Sequence, residues 1–112
     1  MGLFIKGQVV KVIFPFSDLS GSKKRPGFVV ANLHGDDTLI CQITSQNDEQ
    51  DPYAISLNSS DFEEGSLRYP SFIRPSKLFT ADSTIVSEVI GYVNQRKADE
   101  VERAIVEIIQ SG

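Results

Sequence analysis

The sequence predicts a mainly β fold, a small β-barrel-like sheet followed by a C-terminal α-helix. Three observations carry that expectation. Short β-branched, apolar runs separated by Gly, Pro, Asn and Asp fill the first two-thirds of the chain. After Asn94 the apolar spacing changes to steps of three and four residues. With 112 residues, 40% of them hydrophobic and 23% charged, the chain is the size and composition of one soluble domain spanning residues 1–112.

Gln8 to Phe14 is β-branched and apolar, bounded by Gly7 and Pro15, and reads as the first strand. Ser17 to Arg25 is polar with Gly21 near its centre, and is expected to be a long exposed loop. Gly27 to Asn32 and Thr38 to Thr44 form a hairpin, with His34-Gly35-Asp36-Asp37 supplying its turn. Ser45 to Pro52 is a second polar loop before a short strand from Tyr53 to Leu57. Ser60-Asp61-Phe62-Glu63 fits a capping box, predicting a helical turn ended by Gly65.

Ser71 to Ile73 is a strand running into Arg74-Pro75, and Leu78-Phe79 adds an apolar pair before the Ala81-Asp82-Ser83 break. Ile85 to Val93 alternates imperfectly and reads as a strand, with a helix as the other reading. Val101, Ala104, Ile105, Ile108 and Ile109 then mark one face of a helix capped by Asn94. The five prolines are expected at strand ends, where a missing amide donor costs least.

Composition excludes several functions. No apolar run approaches the roughly 18–20 residues of a membrane helix, and Met1 to Lys11 lacks a signal-peptide pattern, so the cytoplasm is the expected compartment. One cysteine, Cys41, permits no internal disulfide, and with one histidine, His34, it leaves no Cys- or His-rich metal site. No P-loop, Gly-x-Gly-x-x-Gly fingerprint or nucleophile elbow is present. No cofactor or metal is expected.

The net charge of −4 argues against nucleic acid until it is resolved by segment. Residues 1–35 carry Lys6, Lys11, Lys23, Lys24 and Arg25 against Asp18, a balance of +4. Residues 36–65 carry eight acids and no base, whereas residues 66–80 carry Arg68, Arg74 and Lys77 and no acid. The two basic segments can meet in space as a phosphate-binding patch, because salt screens distant charges over about 10 Å.

Hairpin pairing of 27–32 with 38–44 would bring Arg25 and Thr44-Ser45 out at one end, with Arg74 on a further strand. Such guanidiniums and hydroxyls suit a phosphodiester and the extra charge of a five-coordinate phosphorus. The pattern also admits a plainer reading, with the arginines paired to surface acids and Thr44 filling a strand position.

The run from Lys6 to Pro26 (KGQVVKVIFPFSDLSGSKKRP) resembles the opening signature of the PemK/MazF toxins: a Gly-led strand, an apolar–Pro–apolar segment, a Gly-containing loop and an Arg-Pro pair. Asp61 to Gly65 and Pro70 to Thr80 are similar to a second block of that family. The resemblance implies an SH3-like barrel, a homodimer, and the toxin half of a type II toxin–antitoxin pair, whose complex binds DNA. It implies metal-independent cleavage of single-stranded RNA to a 2′,3′-cyclic phosphate and a 5′-hydroxyl, with a cognate antitoxin as protein partner. By position, Arg25, Thr44 and Arg74 match the family's catalytic residues, and Lys23, Lys24, Ser45, Ser76 and Lys77 are expected to contact substrate. Ser76 stands where Kid-like members have an aspartate general base, which leaves proton transfer to Arg25. The alternative, from the similar CcdB-like fold, is a non-catalytic toxin that binds a protein such as DNA gyrase.

Overall fold

In the computed structural model, residues 4–15, 22–45 and 51–112 are described. Among them, seven strands form one antiparallel sheet and a single α-helix follows. The strands are β1 (Gln8–Pro15), β2 (Ser22–Asn32), β3 (Asp37–Thr44), β4 (Ile55–Leu57), β5 (Phe62–Gly65), β6 (Ser71–Asp82) and β7 (Val86–Val93); the helix α1 spans Gln95–Ser111.

The spatial order β4-β6-β3-β2-β1-β7-β5 puts β4 and β5 at opposite edges of the sheet. Yet they are neighbours in the chain, with only residues 58–61 between Leu57 and Phe62. That stretch reaches at most about 18 Å, whereas seven flat strands would hold their edges about 29 Å apart. The sheet therefore has to curl, and the expected barrel-like shape follows from this short link.

Curling buries both faces of the central strands, which explains their nearly continuous apolar runs. Val9, Phe28, Cys41, Ile43, Leu57 and Ile73 form one core, sealed by Ala98, Val101 and Ile105 of α1. Val10, Val12, Val29, Ile40 and Ala81 form a second core on the opposite face, with Phe79 and Val86 packed against it. Neighbouring residues such as Val9 and Val10 enter different cores, as the alternation of a strand requires.

The β2–β3 hairpin forms as expected, with Asn32 opposite Thr38 and Gly35 in the turn at a φ of 72°. Helix α1 starts where expected, the Asn94 side chain accepting a hydrogen bond from the Lys97 amide at 2.8 Å. Lys97 is buried, and its Nζ donates to the Ser56 carbonyl at 2.9 Å, tying the helix to β4. Ile85–Val93 resolves as strand, β7 beginning at Val86 after a 3-10 turn capped by Asp82.

Four expectations need correction. The polar segment expected as loop through Arg25 is already strand from Ser22, because Lys23, Lys24 and Arg25 pair with Phe14, Ile13 and Val12 of β1. The rest of that loop, and residues 46–50 of the second, lie outside the described residues. The helical turn is shorter and earlier, a 3-10 turn at Ser59–Asp61 capped by Asn58, after which Phe62–Gly65 pairs with β7 as an edge strand. The segments around Ile73 and Phe79 are one strand, β6, interrupted by an irregularity: Gln42 faces Arg74 while its neighbour Cys41 faces Leu78. Pro75, Ser76 and Lys77 occupy that bulge, so Pro75 sits inside a strand at a point where the ladder is broken. Pro26 is also interior to β2, adjoining Gly27, where the pairing with β3 begins.

Candidate functional site

Antiparallel register assembles the site. Gly27 of β2 faces Gln42 of β3, so two residues farther along both strands Arg25 and Thr44 come level with one another. Thr44 is in turn opposite Phe72 of β6. The result is a cavity of about 420 Å³ lined by Arg25, Pro26, Thr44 and Ser45 together with Arg68 and Tyr69 from the β5–β6 connection. Arg25 and Thr44 are half-buried and Ser45 is exposed. The Arg25 Nε is itself shielded from water.

Two of the basic segments thus meet, Arg25 from the first and Arg68 from the second. Lys23 and Lys24, exposed on β2, extend positive charge away from the cavity along the edge shared with β1. A planar guanidinium presents two donors to two phosphate oxygens, and the adjacent hydroxyls of Thr44 and Ser45 offer further donors. Among the described residues no three His, Cys, Asp or Glu side chains converge as metal ligands would.

Arg74 is placed differently from the sequence expectation. It lies two register pairs from Thr44, opposite Gln42, but does not line the cavity. Its Nε donates to the Asp51 carboxylate at 2.8 Å and its Nη1 to the Gln42 side-chain carbonyl at 3.4 Å. Burial pushes the Asp51 carboxyl up, but hydrogen bonds from Arg74 and the Tyr53 amide, with the charges of Arg74 and Lys77, outweigh it and hold the group below its ordinary range. Ser76 and Lys77 are exposed in the β6 bulge, and Lys77 lines a separate, shallower cavity of about 260 Å³ with Gln42, Leu78 and Phe79.

Sequence pattern alone gives Arg68, Tyr69 and Asp51 no specific role. Arg68 was visible only as one charge of a basic segment, and Tyr69 and Asp51 carried no local signal. Two other chemically active side chains, His34 and Cys41, are remote or inert. His34 is exposed in the β2–β3 turn, at the opposite end of the hairpin. Cys41 is buried in the first core, which pushes its thiol up to about 12.

A curled antiparallel sheet closed by one helix gathers arginine and hydroxyl groups at a strand end, an arrangement suited to a phosphate group. The chain belongs to the PemK-like, MazF-like toxins of type II toxin–antitoxin systems, whose family model matches residues 5–109. Its fold is similar to that of an endoribonuclease in complex with its cognate antitoxin from a mycobacterial species, at a TM-score of 0.73 and 17% identity over 97% of both chains. It is also similar to the MazE-MazF structure (form II) from Deinococcus radiodurans, with a TM-score of 0.70 and 15% identity over 93% of this chain and 92% of that one. The Mycobacterium tuberculosis toxin MazF-mt6 matches with a TM-score of 0.67 and 15% identity over 90% and 96% of the two chains. No curated protein matches the chain by sequence.

Proposed function

We propose that this chain is an endoribonuclease toxin that cuts single-stranded RNA at the Arg25–Thr44 cavity and is neutralised by a cognate antitoxin. The observation that carries the reading is the meeting of Arg25, Thr44 and Ser45 in one cavity of a chain that belongs to this toxin family. The RNA supplies its own nucleophile. The 2′-oxygen attacks phosphorus, the bond from phosphorus to O5′ breaks, and the products are a 2′,3′-cyclic phosphate and a 5′-hydroxyl. The 2′-hydroxyl gives up a proton and O5′ takes one, while Arg25 holds the negative charge that builds on the phosphoryl oxygens. The Thr44 hydroxyl hydrogen-bonds the same group, with Ser45 beside it.

The family match favours this reading over the gyrase-binding alternative. In it, Lys23 and Lys24 guide the RNA backbone, and Ser76 and Lys77 contact the strand beyond the cavity. Arg74, tied to Asp51, adds positive potential two register pairs away from Thr44. The working form is a homodimer in the cytoplasm, and no helix among the described residues is long and apolar enough to cross a membrane.

The test is incubation of the purified protein with a long RNA in the presence of a chelator. Fragments ending in cyclic phosphate and beginning with 5′-hydroxyl are expected. RNA that stays intact under these conditions contradicts the proposal.

A further inference from the structure

Tyr69 is 62% exposed, an aromatic ring left largely in water at the rim of the Arg25–Thr44 cavity. It is presented by a stiff segment. Pro70 follows it, which disfavours helical backbone at Tyr69. The hydroxyl of buried Ser71 donates to the Tyr69 carbonyl at 2.9 Å. Arg68, beside it in the chain, lines the same cavity. Arg68 and Tyr69 also line a second cavity of about 150 Å³ on the other side of the connection, with Leu57, Asn58 and Ser59. The pair is therefore the shared wall between two cavities, one of which holds the proposed cleavage groups.

We propose that Arg68 and Tyr69 clamp the nucleotide flanking the cleaved phosphodiester. This rests on the RNA-cleaving reading above and names the residues that grip the strand. Tyr69 stacks on the base, since every base offers a π-face to an exposed aromatic ring at the cavity rim. Arg68 meets the neighbouring phosphate through its planar fork. A strand leaving the Arg25–Thr44 cavity along this wall passes over Tyr69 towards Asn58 and Ser59, whose polar side chains meet the next base. An acidic peptide would find Arg68 here but would have little use for an open aromatic face, so a nucleotide is the better occupant.

The chain has no tryptophan, so Tyr69→Trp introduces a unique fluorophore. Short single-stranded 2′-O-methyl oligoribonucleotides, which bind but cannot be cut, are titrated onto it. Saturable quenching of the introduced indole's emission is expected, with none in a Tyr53→Trp control, whose substituted position lines a different cavity. Tyr69→Ala should weaken oligonucleotide binding about tenfold to a hundredfold, while Tyr69→Phe stays near the parent. In cleavage assays Tyr69→Ala should raise KM more than it lowers kcat. If the parent cuts RNA and Tyr69→Ala binds and cuts equally well, the clamp is wrong and the RNA-cleaving reading stands. Quenching by an acidic peptide but not by RNA also overturns the clamp. A parent that neither binds nor cuts RNA overturns both.

Discussion

The Nε of Arg74 donates to the Oδ2 of Asp51 across 2.8 Å, joining the middle of β6 to a residue 23 positions earlier in the chain. The carboxylate is only 4% exposed, and its other oxygen accepts from the Tyr53 amide at 3.0 Å. This pair is the tether between the Arg74 end of the sheet and the segment entering β4.

Asp51→Asn should therefore destabilise the fold by about 1.5–3 kcal/mol, the usual worth of a hydrogen bond to a charged group. The pH dependence has a definite sign. Because the folded pKa is held below its ordinary value of 3.8, the contribution is fully present above that value and fades as pH falls through the lowered folded value. Thermal melts of parent and Asp51→Asn should differ at neutral pH and converge in acid. A constant difference down to strongly acidic pH would count against the tether.

Cys41 should be silent to thiol reagents in the native state. Its thiol sits in the first core with a pKa of about 12, so almost none is thiolate at mildly alkaline pH. Colorimetric thiol titration should show reaction only as denaturant unfolds the chain. Rapid labelling without denaturant would mean that the core opens far more easily than its packing implies.

The β5–β7 edge depends on two glycines. A Cβ on Gly91 would strike the Glu64 carbonyl oxygen and lie 2.9 Å from the Gly65 Cα, both of them backbone. Gly65 itself has a φ of 78°, which ordinary side chains disfavour. Gly91→Ala should lower stability by about 1–3 kcal/mol, the scale of overpacking. Equilibrium unfolding in urea measures it, and an unchanged midpoint would contradict the close approach.

Arg25→Ala should lose most RNA cleavage with the fold intact. Arg25→Lys should be nearly as poor, because a point charge cannot reproduce the fork that meets two phosphate oxygens. Thr44→Ala should slow cleavage by about a hundred- to a thousandfold, less if Ser45 substitutes. Single-turnover kinetics with circular dichroism as a folding control checks each. Parental rates in Arg25→Ala would remove the arginine from the reaction.

Local pattern revealed the parts of this molecule whose signals are local. Runs such as Gln8 to Phe14 advertise strands, Gly35 with its aspartates advertises the turn, and the Val101-to-Ile108 spacing advertises the helix. Arg25 and Thr44 could be brought together on paper because one short hairpin fixes their register. What stayed hidden depends on distant pairing. Lys23 and Lys24 look like loop residues, yet β1 recruits their backbone into the sheet and leaves the side chains exposed. Ser60 to Glu63 carries a capping-box pattern, but the edge of β7 claims Phe62–Gly65 as strand. Arg74 could be placed near the hairpin, but nothing nearby in the sequence points to Asp51. Arg68 and Tyr69 reach the cavity because the start of β6, just after them, pairs with β3 at Phe72 and Thr44, a long-range pairing that no single element encodes.

The most direct measurement compares two oligoribonucleotides identical except for hydrogen in place of the 2′-hydroxyl at the cleaved nucleotide. The parent protein, with chelator present, should cut the ribose strand to a 2′,3′-cyclic phosphate and a 5′-hydroxyl. It should bind the 2′-deoxy strand with similar affinity and leave it whole. Cleavage of the 2′-deoxy strand at the same rate, or products ending in 3′-hydroxyl and 5′-phosphate, would contradict attack by the RNA's own hydroxyl at the Arg25–Thr44 cavity.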